Sequence, residues 1–279
     1  MKTILITGAN SGIGKATTMA LAQKGNELIL VCRNEQKAKA LEAELKLAYP
    51  NALVHVFIAD LSVMKSIQHL VQQIQTQFSK IDVLINNAGA FVPTKQLSAD
   101  GFELTLATNH LSYFYLTQQL LPLLHQSQEA RIVNVASEAH KIAQVDWNDI
   151  HLSKKFTGMR AYANSKLFNI MFTYTLANQL QNTSVTVNAM HPGGVNTNFG
   201  NSVTGLVGIA FRWLGFMMRT PEQGAETVIW LAENDEVKTR SGGYYKDKKT
   251  IASSAMSYDK EAWQRLWQIS EELIQQALA

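Results

Sequence analysis

The stretch that decides the fold is Thr3-Ile4-Leu5-Ile6-Thr7-Gly8-Ala9-Asn10-Ser11-Gly12-Ile13-Gly14. A β-branched apolar run ends at Thr7, a glycine-rich turn follows, and a helical pattern begins directly after the turn. Glycines let the backbone approach a pyrophosphate, and the N-terminus of the helix presents about half a positive charge to it. This strand–turn–helix arrangement predicts a dinucleotide site. The predicted contacts are Gly8, Asn10, Ser11, Gly12, Ile13 and Gly14.

Short apolar runs alternate with longer helical patterns along the rest of the chain. The predicted strands are Thr3–Thr7, Glu27–Cys32, Leu53–Ile58, Val83–Asn86, Arg131–Ala136, Val185–Met190 and a short one at 242–245. The predicted helices are 12–24, 35–48, 63–78, 97–126, 160–181, 221–233 and 257–278. Several strands are apolar on consecutive residues, which is typical of parallel strands buried on both faces. We expect a Rossmann-type α/β fold: a doubly wound parallel sheet of about seven strands with helices on both faces, in a single domain spanning 1–279.

Composition excludes several classes of protein. Hydrophobic residues make up 46% and charged residues 17% of the 279 residues, and the formal charge of +3 is spread along the chain, so we expect no nucleic-acid partner. A single cysteine, Cys32, leaves no internal disulfide, and the seven histidines show no metal-ligand spacing, so we expect no metal. The first strand starts almost at once and no apolar stretch reaches the ~20 residues of a membrane span, so we expect no transmembrane segment and a cytoplasmic location.

The end of the second predicted strand bears on the choice of cofactor. A carboxylate about 20 residues beyond the glycines would bind the ribose 2′-hydroxyl of NAD. This chain has Arg33-Asn34 there instead, and a guanidinium suits the 2′-phosphate of NADP by charge and by its fork of donors. We therefore expect NADP(H) to be preferred, with Arg33 and Asn34 as contacts. Glu35 lies near enough to keep NAD(H) possible.

Tyr162 and Lys166 lie four residues apart in a strongly helical segment, so they project from one face of the helix. A phenol with a pKa near 10 exchanges protons poorly at neutral pH, and lowering the pKa to about 7 requires ~4 kcal/mol. An ammonium about 4 Å away at an intermediate dielectric contributes a similar amount. We expect Lys166 to lower the pKa of Tyr162. Ser137 follows the strand at Arg131–Ala136, at the carboxyl edge where open α/β sheets bind ligands.

Taken together, these motifs resemble the ordered series of the short-chain dehydrogenase/reductase family. The series is Thr7 to Gly14 matching TGxxxGIG, Asn86-Asn87-Ala88-Gly89, Asn109, Ser137, Tyr162-x-x-x-Lys166 and Pro192-Gly193-x-Val195-x-Thr197. The resemblance spans residues 3 to about 200. Its implied activity is hydride transfer between a nicotinamide cofactor and an alcohol or carbonyl substrate.

The resemblance also implies roles for individual residues. Tyr162 would give or take the substrate proton, and Lys166 would bind the nicotinamide ribose and lower the pKa of the tyrosine, so both also contact the cofactor. Ser137 would hydrogen-bond the substrate oxygen, and Asn109 would hold a water that links Lys166 to solvent. The remaining implied cofactor contacts are Asp60 and Leu61 beside the adenine, Asn87, Ala88 and Gly89 along the cofactor, and Pro192, Gly193, Val195 and Thr197 at the carboxamide.

Within the family, the 25-residue gap from Ser137 to Tyr162, the Ala9-Asn10-Ser11 turn followed by Arg33, and Ser241-Gly242-x-Tyr244 resemble the retinol dehydrogenase and WW-domain oxidoreductase branch. The segment 192–220 is expected to cover the substrate, and its apolar part, 203–218, is open to three interpretations: a lid favouring an apolar substrate, core, or a helix on a membrane surface.

Two other functions remain open from the sequence. One is a non-catalytic regulatory protein that binds the dinucleotide, and the other is a reductase of carbon–carbon double bonds in the same family. The helices at 97–126 and 160–181 also allow a homodimer.

Overall fold

The structure is a computed structural model that describes residues 1–195 and 219–279. Its described strands form one sheet in the order β3-β2-β1-β4-β5-β6-β7-β8. Their bounds are β1 Thr3–Thr7, β2 Glu27–Cys32, β3 Val54–Ile58, β4 Val83–Asn86, β5 Ala130–Val135, β6 Val185–Met190, β7 Tyr244–Lys246 and β8 Lys249–Thr250. All neighbours pair in parallel except β7 with β8, which pair antiparallel. The Rossmann-type doubly wound fold is confirmed, with eight described strands where about seven were expected.

The point at which the strand order reverses indicates where a ligand would bind. β1 pairs with β2 on one side and with β4 on the other, so the chain moves outward in one direction through β3 and then in the other direction from β4. Ligands bind open α/β sheets outside the carboxyl ends of the strands at this switch point. Thr7 ends β1 and Asn86 ends β4, so the glycine-rich turn and the Asn87-Ala88-Gly89 loop meet there.

The helices largely follow the predicted bounds. They are α1 Gly12–Gln23, α2 Glu35–Ala48, α3 Met64–Gln77, α4 Leu104–Leu106, α5 Ser112–His125, α6 Gly158–Gln179, α7 Pro221–Glu233 and α8 Lys260–Leu278. A π-helical turn, Ala107–Leu111, joins α4 to α5. No helix within the described residues is long and apolar enough to span a bilayer.

The prediction of one helix over 97–126 is wrong at its start. Residues 97–103 form a tight loop in which Leu97 and Glu103 make an antiparallel bridge, and Gly101 has φ +81°. The Glu103 carboxylate then accepts hydrogen bonds from the amides of Thr105 (2.9 Å) and Leu106 (2.7 Å). This cap fixes the start of α4 because it satisfies amides that lack an intrahelical partner.

The two faces of the sheet carry separate layers of the core. α1, α2 and α7 cover one face, and α3, α5, α6 and α8 cover the other. The final helix lies outermost: the ring of Trp267 in α8 lies 4.7 Å from that of Phe114 in α5 and 6.1 Å from that of Phe172 in α6. Parts of α5 and α6 are thus packed against α8 of the same chain, and the homodimer stays a prediction.

Candidate active site

The glycine-rich turn has the geometry of a phosphate cradle. Gly8 and Gly12 have φ +64° and +49°, in the left-handed region that favours glycine. A Cβ on Gly14 would lie 2.1 Å from the carbonyl oxygen of Gly8 and 2.5 Å from Nδ2 of Asn87. Gly14 is therefore required for the first turn of α1 to pack against its own loop, with Ser11 as the residue before the helix.

The turn is fastened to the loop after β4 by short hydrogen bonds. The Thr7 hydroxyl accepts from the amides of Asn87 (2.9 Å) and Ala88 (3.0 Å), and Nδ2 of Asn87 donates to the Thr7 carbonyl (2.8 Å). The predicted cofactor residues Asn87, Ala88 and Gly89 are therefore held beside the glycine-rich turn. The structure brings these two predicted segments together.

Arg33 and Asn34, the predicted contacts of the adenosine half of the cofactor, are exposed at the end of β2. No ion pair forms to Arg33 within residues 1–195 and 219–279. Glu35, the rival contact, pairs with Lys39 at 2.7 Å, and this hydrogen bond lowers the pKa of the Glu35 carboxyl. Asn34 caps α2 by accepting from the amide of Lys37. Because the Arg33 guanidinium is exposed and forms no ion pair within the described residues, this position fits a phosphate better than a ribose hydroxyl.

Asp60 and Leu61 follow β3, as expected from the resemblance. The Asp60 carboxylate accepts from the amide (2.9 Å) and hydroxyl (2.7 Å) of Ser62, which shapes the loop, and Leu61 is buried. Both residues lie at the carboxyl edge of the sheet with the glycine-rich turn. Their contact with an adenine stays a prediction.

The N-terminus of α6 is pressed against the loop that follows Gly89. The Thr157 side chain caps the helix, and a Cβ on Gly158 would lie only 2.5 Å from the carbonyl oxygen of Val92. This close approach brings the ring of Phe91 to 6.0 Å from the ring of Tyr162, edge to face. Nothing in the sequence marks Phe91 as a site residue except its place two residues after Gly89.

Ser137 and Tyr162 are in contact across the site. The Ser137 side chain hydrogen-bonds Tyr162, which lowers the pKa of the phenol, but the larger effect is burial, which raises that pKa to about 12. The Ser137 oxygen also accepts from the amide of Ala139 (3.2 Å). His140 holds this turn in place, because its Nδ1 donates to the Ser137 carbonyl (2.7 Å) while its Nε2 accepts from the amide of Ser254 (3.0 Å).

Lys166 lies beside the phenol, but the expected direction of the pKa shift is wrong for this structure. Nζ of Lys166 lies 5.6 Å from the ring centroid of Tyr162 and donates to the Val135 carbonyl (2.9 Å). Only 3% of Lys166 is exposed, and this burial lowers its pKa to about 7. Desolvation penalises the charged form of each group, so it outweighs their mutual attraction. The two side chains share one site as predicted.

Asn109 lies in the π-helical turn with its amide fully engaged. Its Oδ1 accepts from the amide of Ala90 (2.7 Å), and its Nδ2 donates to the Ala90 carbonyl (3.0 Å) and to the hydroxyl of Ser165 (3.0 Å). The side chain thus ties the loop after β4 to α6. Its water-holding role stays a prediction. Ser165, which accepts one of these hydrogen bonds, was not among the predicted site residues, although it lies between Tyr162 and Lys166 in sequence.

The last predicted segment is described only in part. Gly193 has φ +86°, and a Cβ there would lie 2.7 Å from the Arg219 side chain. The amide of Arg219 donates to the Gly194 carbonyl (2.7 Å), and Val195 bridges to Arg219. Pro192, Gly193 and Val195 follow β6 at the carboxyl edge of the sheet. Thr197 and the segment 203–218 lie outside the described residues.

The arrangement can hold a dinucleotide and exchange a proton. The turn leaves no space for a Cβ at Gly14, an exposed arginine follows the neighbouring strand β2, and a half-buried phenol contacts a serine hydroxyl. No cluster of three potential metal ligands occurs in the described part of the chain.

Comparison with protein families gives one matching model, the short chain dehydrogenase family, over residues 2–205. Among curated proteins, human retinol dehydrogenase 13 is 36% identical over 282 residues, covering 98% of this chain and 84% of the relative. Mouse retinol dehydrogenase 12 is 36% identical over 273 residues, covering 98% and 86%.

Solved structures agree with this match. An uncharacterised protein of Mycobacterium paratuberculosis superposes with a TM-score of 0.80 at 28% identity, covering 99% of this chain and 94% of that one. A Shigella flexneri protein assigned as a short chain dehydrogenase and solved with NADP gives a TM-score of 0.68 at 25% identity, covering 89% and 97%.

Proposed function

Because the chain belongs to the short-chain dehydrogenase/reductase family, we propose that it is an NADP(H)-dependent oxidoreductase that interconverts an alcohol and a carbonyl on an apolar substrate. The observation that carries the proposal is the contact between the half-buried phenol of Tyr162 and the Ser137 hydroxyl, with Lys166 beside them. We further propose that residues 1–279 form one domain, which is supported by the continuous sheet, and that the protein is cytoplasmic.

The residues present fit a dinucleotide in this site. Gly8, Gly12 and Gly14 would receive the pyrophosphate, Arg33 the 2′-phosphate, and Lys166 the nicotinamide ribose. NADP(H), when bound, supplies the hydride chemistry. The preference for NADP(H) is supported by the open guanidinium of Arg33 and by the engagement of Glu35 with Lys39. It is also supported by the NADP complex of the Shigella flexneri relative.

The protein's own part in the reaction is to orient the substrate and move one proton. In the direction of reduction, Ser137 donates a hydrogen bond to the substrate oxygen, and Tyr162 transfers its phenolic proton to that oxygen. The phenolate left behind is stabilised by the ammonium of Lys166, because the single hydroxyl proton of Ser137 remains on the substrate oxygen. A positioned proton donor of this kind contributes about 10²–10⁴-fold to the rate.

An apolar substrate is supported by the surroundings of the phenol. The ring of Phe91 packs edge-on against Tyr162. Met159, one turn before Tyr162, and Ile142, in the turn after Ser137, are 42% and 59% exposed. Exposed apolar side chains on the two segments that carry Ser137 and Tyr162 favour an apolar ligand. The named activity of the retinol dehydrogenase relatives agrees with this choice.

Tyr162→Phe tests the proposal. With NADPH and a panel of aldehydes, ketones and retinal, we expect kcat to fall at least about 10²-fold, while the NADPH dissociation constant measured by fluorescence stays within about twofold of the wild-type value. Thr175→Val is the matched control, since it removes another α6 hydroxyl, one that bonds the Met171 carbonyl of its own helix. Retention of most activity in Tyr162→Phe would remove the phenol from the mechanism.

The same screen separates the alternatives. Wild-type protein that binds NADPH but turns over nothing on the panel would favour a regulatory protein. Reduction of enones at the carbon–carbon bond, with no turnover of saturated aldehydes, would favour a double-bond reductase. Product analysis by mass spectrometry distinguishes these outcomes.

A further inference from the structure

The mechanism requires Lys166 to carry a positive charge in a place that disfavours charge. The side chain is 3% exposed, and its burial lowers its pKa to about 7. No carboxylate in the described ranges forms an ion pair with it, and its Nζ donates a hydrogen bond to the neutral carbonyl of Val135. Something other than a counterion must therefore favour the ammonium form.

Two aromatic rings flank the ammonium. Nζ of Lys166 lies 5.6 Å from the ring centroid of Tyr162 and 5.8 Å from that of Tyr113. Both distances fall within the ~6 Å at which a cation is attracted to the face of an aromatic ring, and this attraction is strongest where water is excluded. Tyr113 is 1% exposed. The two rings come from different helices, α5 and α6.

We propose that Tyr113 is a positioning residue of the catalytic centre, whose ring face holds the Lys166 ammonium charged and in place beside Tyr162. The inference rests on the proposed function, because it gives Tyr113 a part in the same reaction. It adds a residue that lies four positions after Asn109, just beyond the π-helical turn. The sequence motifs contain no signal for it.

Among the described residues, the groups of negative potential that face Lys166 are two aromatic rings and one backbone carbonyl. α5 contributes Tyr113, α6 contributes Tyr162, and β5 contributes the carbonyl of Val135. In the loop after β4, a Cβ on Gly89 would lie 3.5 Å from Nζ and equally far from Oδ1 of Asn109. Tyr113 itself stays neutral, because burial and the nearby Tyr162 raise its pKa well above the usual value.

The hydroxyl of Tyr113 allows the ring to be tested separately. Within the described residues this buried oxygen has no hydrogen-bond partner. Phenylalanine therefore keeps the aromatic face next to Lys166 and removes only an unsatisfied polar atom. Leucine removes the face. Tyr115→Leu is the matched control, since Tyr115 is also buried in α5 but, two residues on, points from another side of the helix.

The direct test is NMR titration of full-length protein labelled with ¹³C at the lysine Cε, the Lys166 signal being identified by its loss in Lys166→Met. We expect a pKa near 7 in the wild-type protein. Tyr113→Leu should lower it by about one unit, a tenfold change in the protonation equilibrium. Tyr113→Phe and Tyr115→Leu should leave it unchanged. An unchanged pKa in Tyr113→Leu would overturn the proposal, and an equal drop in Tyr113→Phe would assign the effect to the hydroxyl and overturn the role of the ring.

Activity gives a second readout. The alkaline limb of the kcat profile should move to lower pH by about one unit in Tyr113→Leu and stay in place in Tyr113→Phe. Tyr113→Met, whose longer and more flexible side chain can adapt to the vacated space, replaces the leucine variant if circular dichroism shows loss of fold. The NMR titration does not depend on turnover, so a failure of the proposed function in Tyr162→Phe is distinguishable from a failure of this inference.

Discussion

The cradle at Gly8–Gly14 and the proposed catalytic group, Ser137, Tyr162 and Lys166, lie at the same edge of the sheet but are built differently. The cradle is made of backbone: positive φ angles, a helix N-terminus and close contacts that only glycine permits. The catalytic group is made of side chains whose protonation depends on burial. Substitutions in the cradle should therefore act through steric clash. The buried titratable side chains should instead respond to changes in charge and solvation.

The largest effect is expected in the cradle. Gly14→Ala places a Cβ 2.1 Å from the Gly8 carbonyl oxygen, so the loop must shift or the helix must move. Overpacking against side chains costs about 1–3 kcal/mol, and backbone yields less readily, so we expect a loss of about 3 kcal/mol or more in the free energy of unfolding by urea. NADPH binding should weaken as well. Gly25→Ala is the control for backbone strain alone: a Cβ there meets nothing within 4 Å, but Gly25 has φ +74°, so its loss should be only about 1–2 kcal/mol. Equal stability of the two variants would contradict the steric account.

A slightly smaller loss of stability is expected from a buried titratable side chain when the pH is lowered. Burial lowers the pKa of His110 to about 3, from 6.5. In the unfolded chain this histidine binds a proton below pH 6.5, whereas in the folded protein it does not until about pH 3. Stability therefore falls as the pH drops through this window, by about 3 kcal/mol between pH 6.5 and 4.

His110→Gln should remove much of that slope in urea unfolding measured across the same pH range. Its Nε2 contact with Ser270 is one that glutamine can form in part. His125→Gln is the matched control, since His125 is an exposed histidine at the end of α5. The same slope in His110→Gln as in the wild-type protein would show that other groups cause the acid sensitivity.

The smallest effect is expected at the exposed rim of the cradle. Arg33→Asp removes the cation proposed to meet the 2′-phosphate, and a hydrogen bond to a charged group contributes about 1.5–3 kcal/mol. We expect NADPH affinity to fall roughly 10–100-fold, and NADH affinity to change much less. Lys46→Asp is the matched control, because it makes the same change of charge at the far end of α2. Equal losses for the two cofactors would place the 2′-phosphate elsewhere.

Much of this molecule could be predicted from local sequence. The strands through Met190 and most helix bounds follow from apolar runs and capping residues, because each depends on neighbouring positions. The helix proposed over 97–126 failed because a left-handed Gly101 and the Glu103 cap compete with an otherwise helical composition. Local helix propensity does not predict the outcome of that competition, because the outcome depends on contacts within the loop, such as the bridge between Leu97 and Glu103.

The sequence by itself determined which residues stand at the site, since glycines, a phenol, an ammonium and a serine at these spacings have few other uses. Only the tertiary structure decided how those groups behave. Tyr113 and Phe91 reach Lys166 and Tyr162 from other segments of the chain, and burial shifts both pKa values against the direction expected from the pair alone. The reason is that the attraction between two groups depends on their spacing, whereas the cost of desolvation depends on everything packed around them.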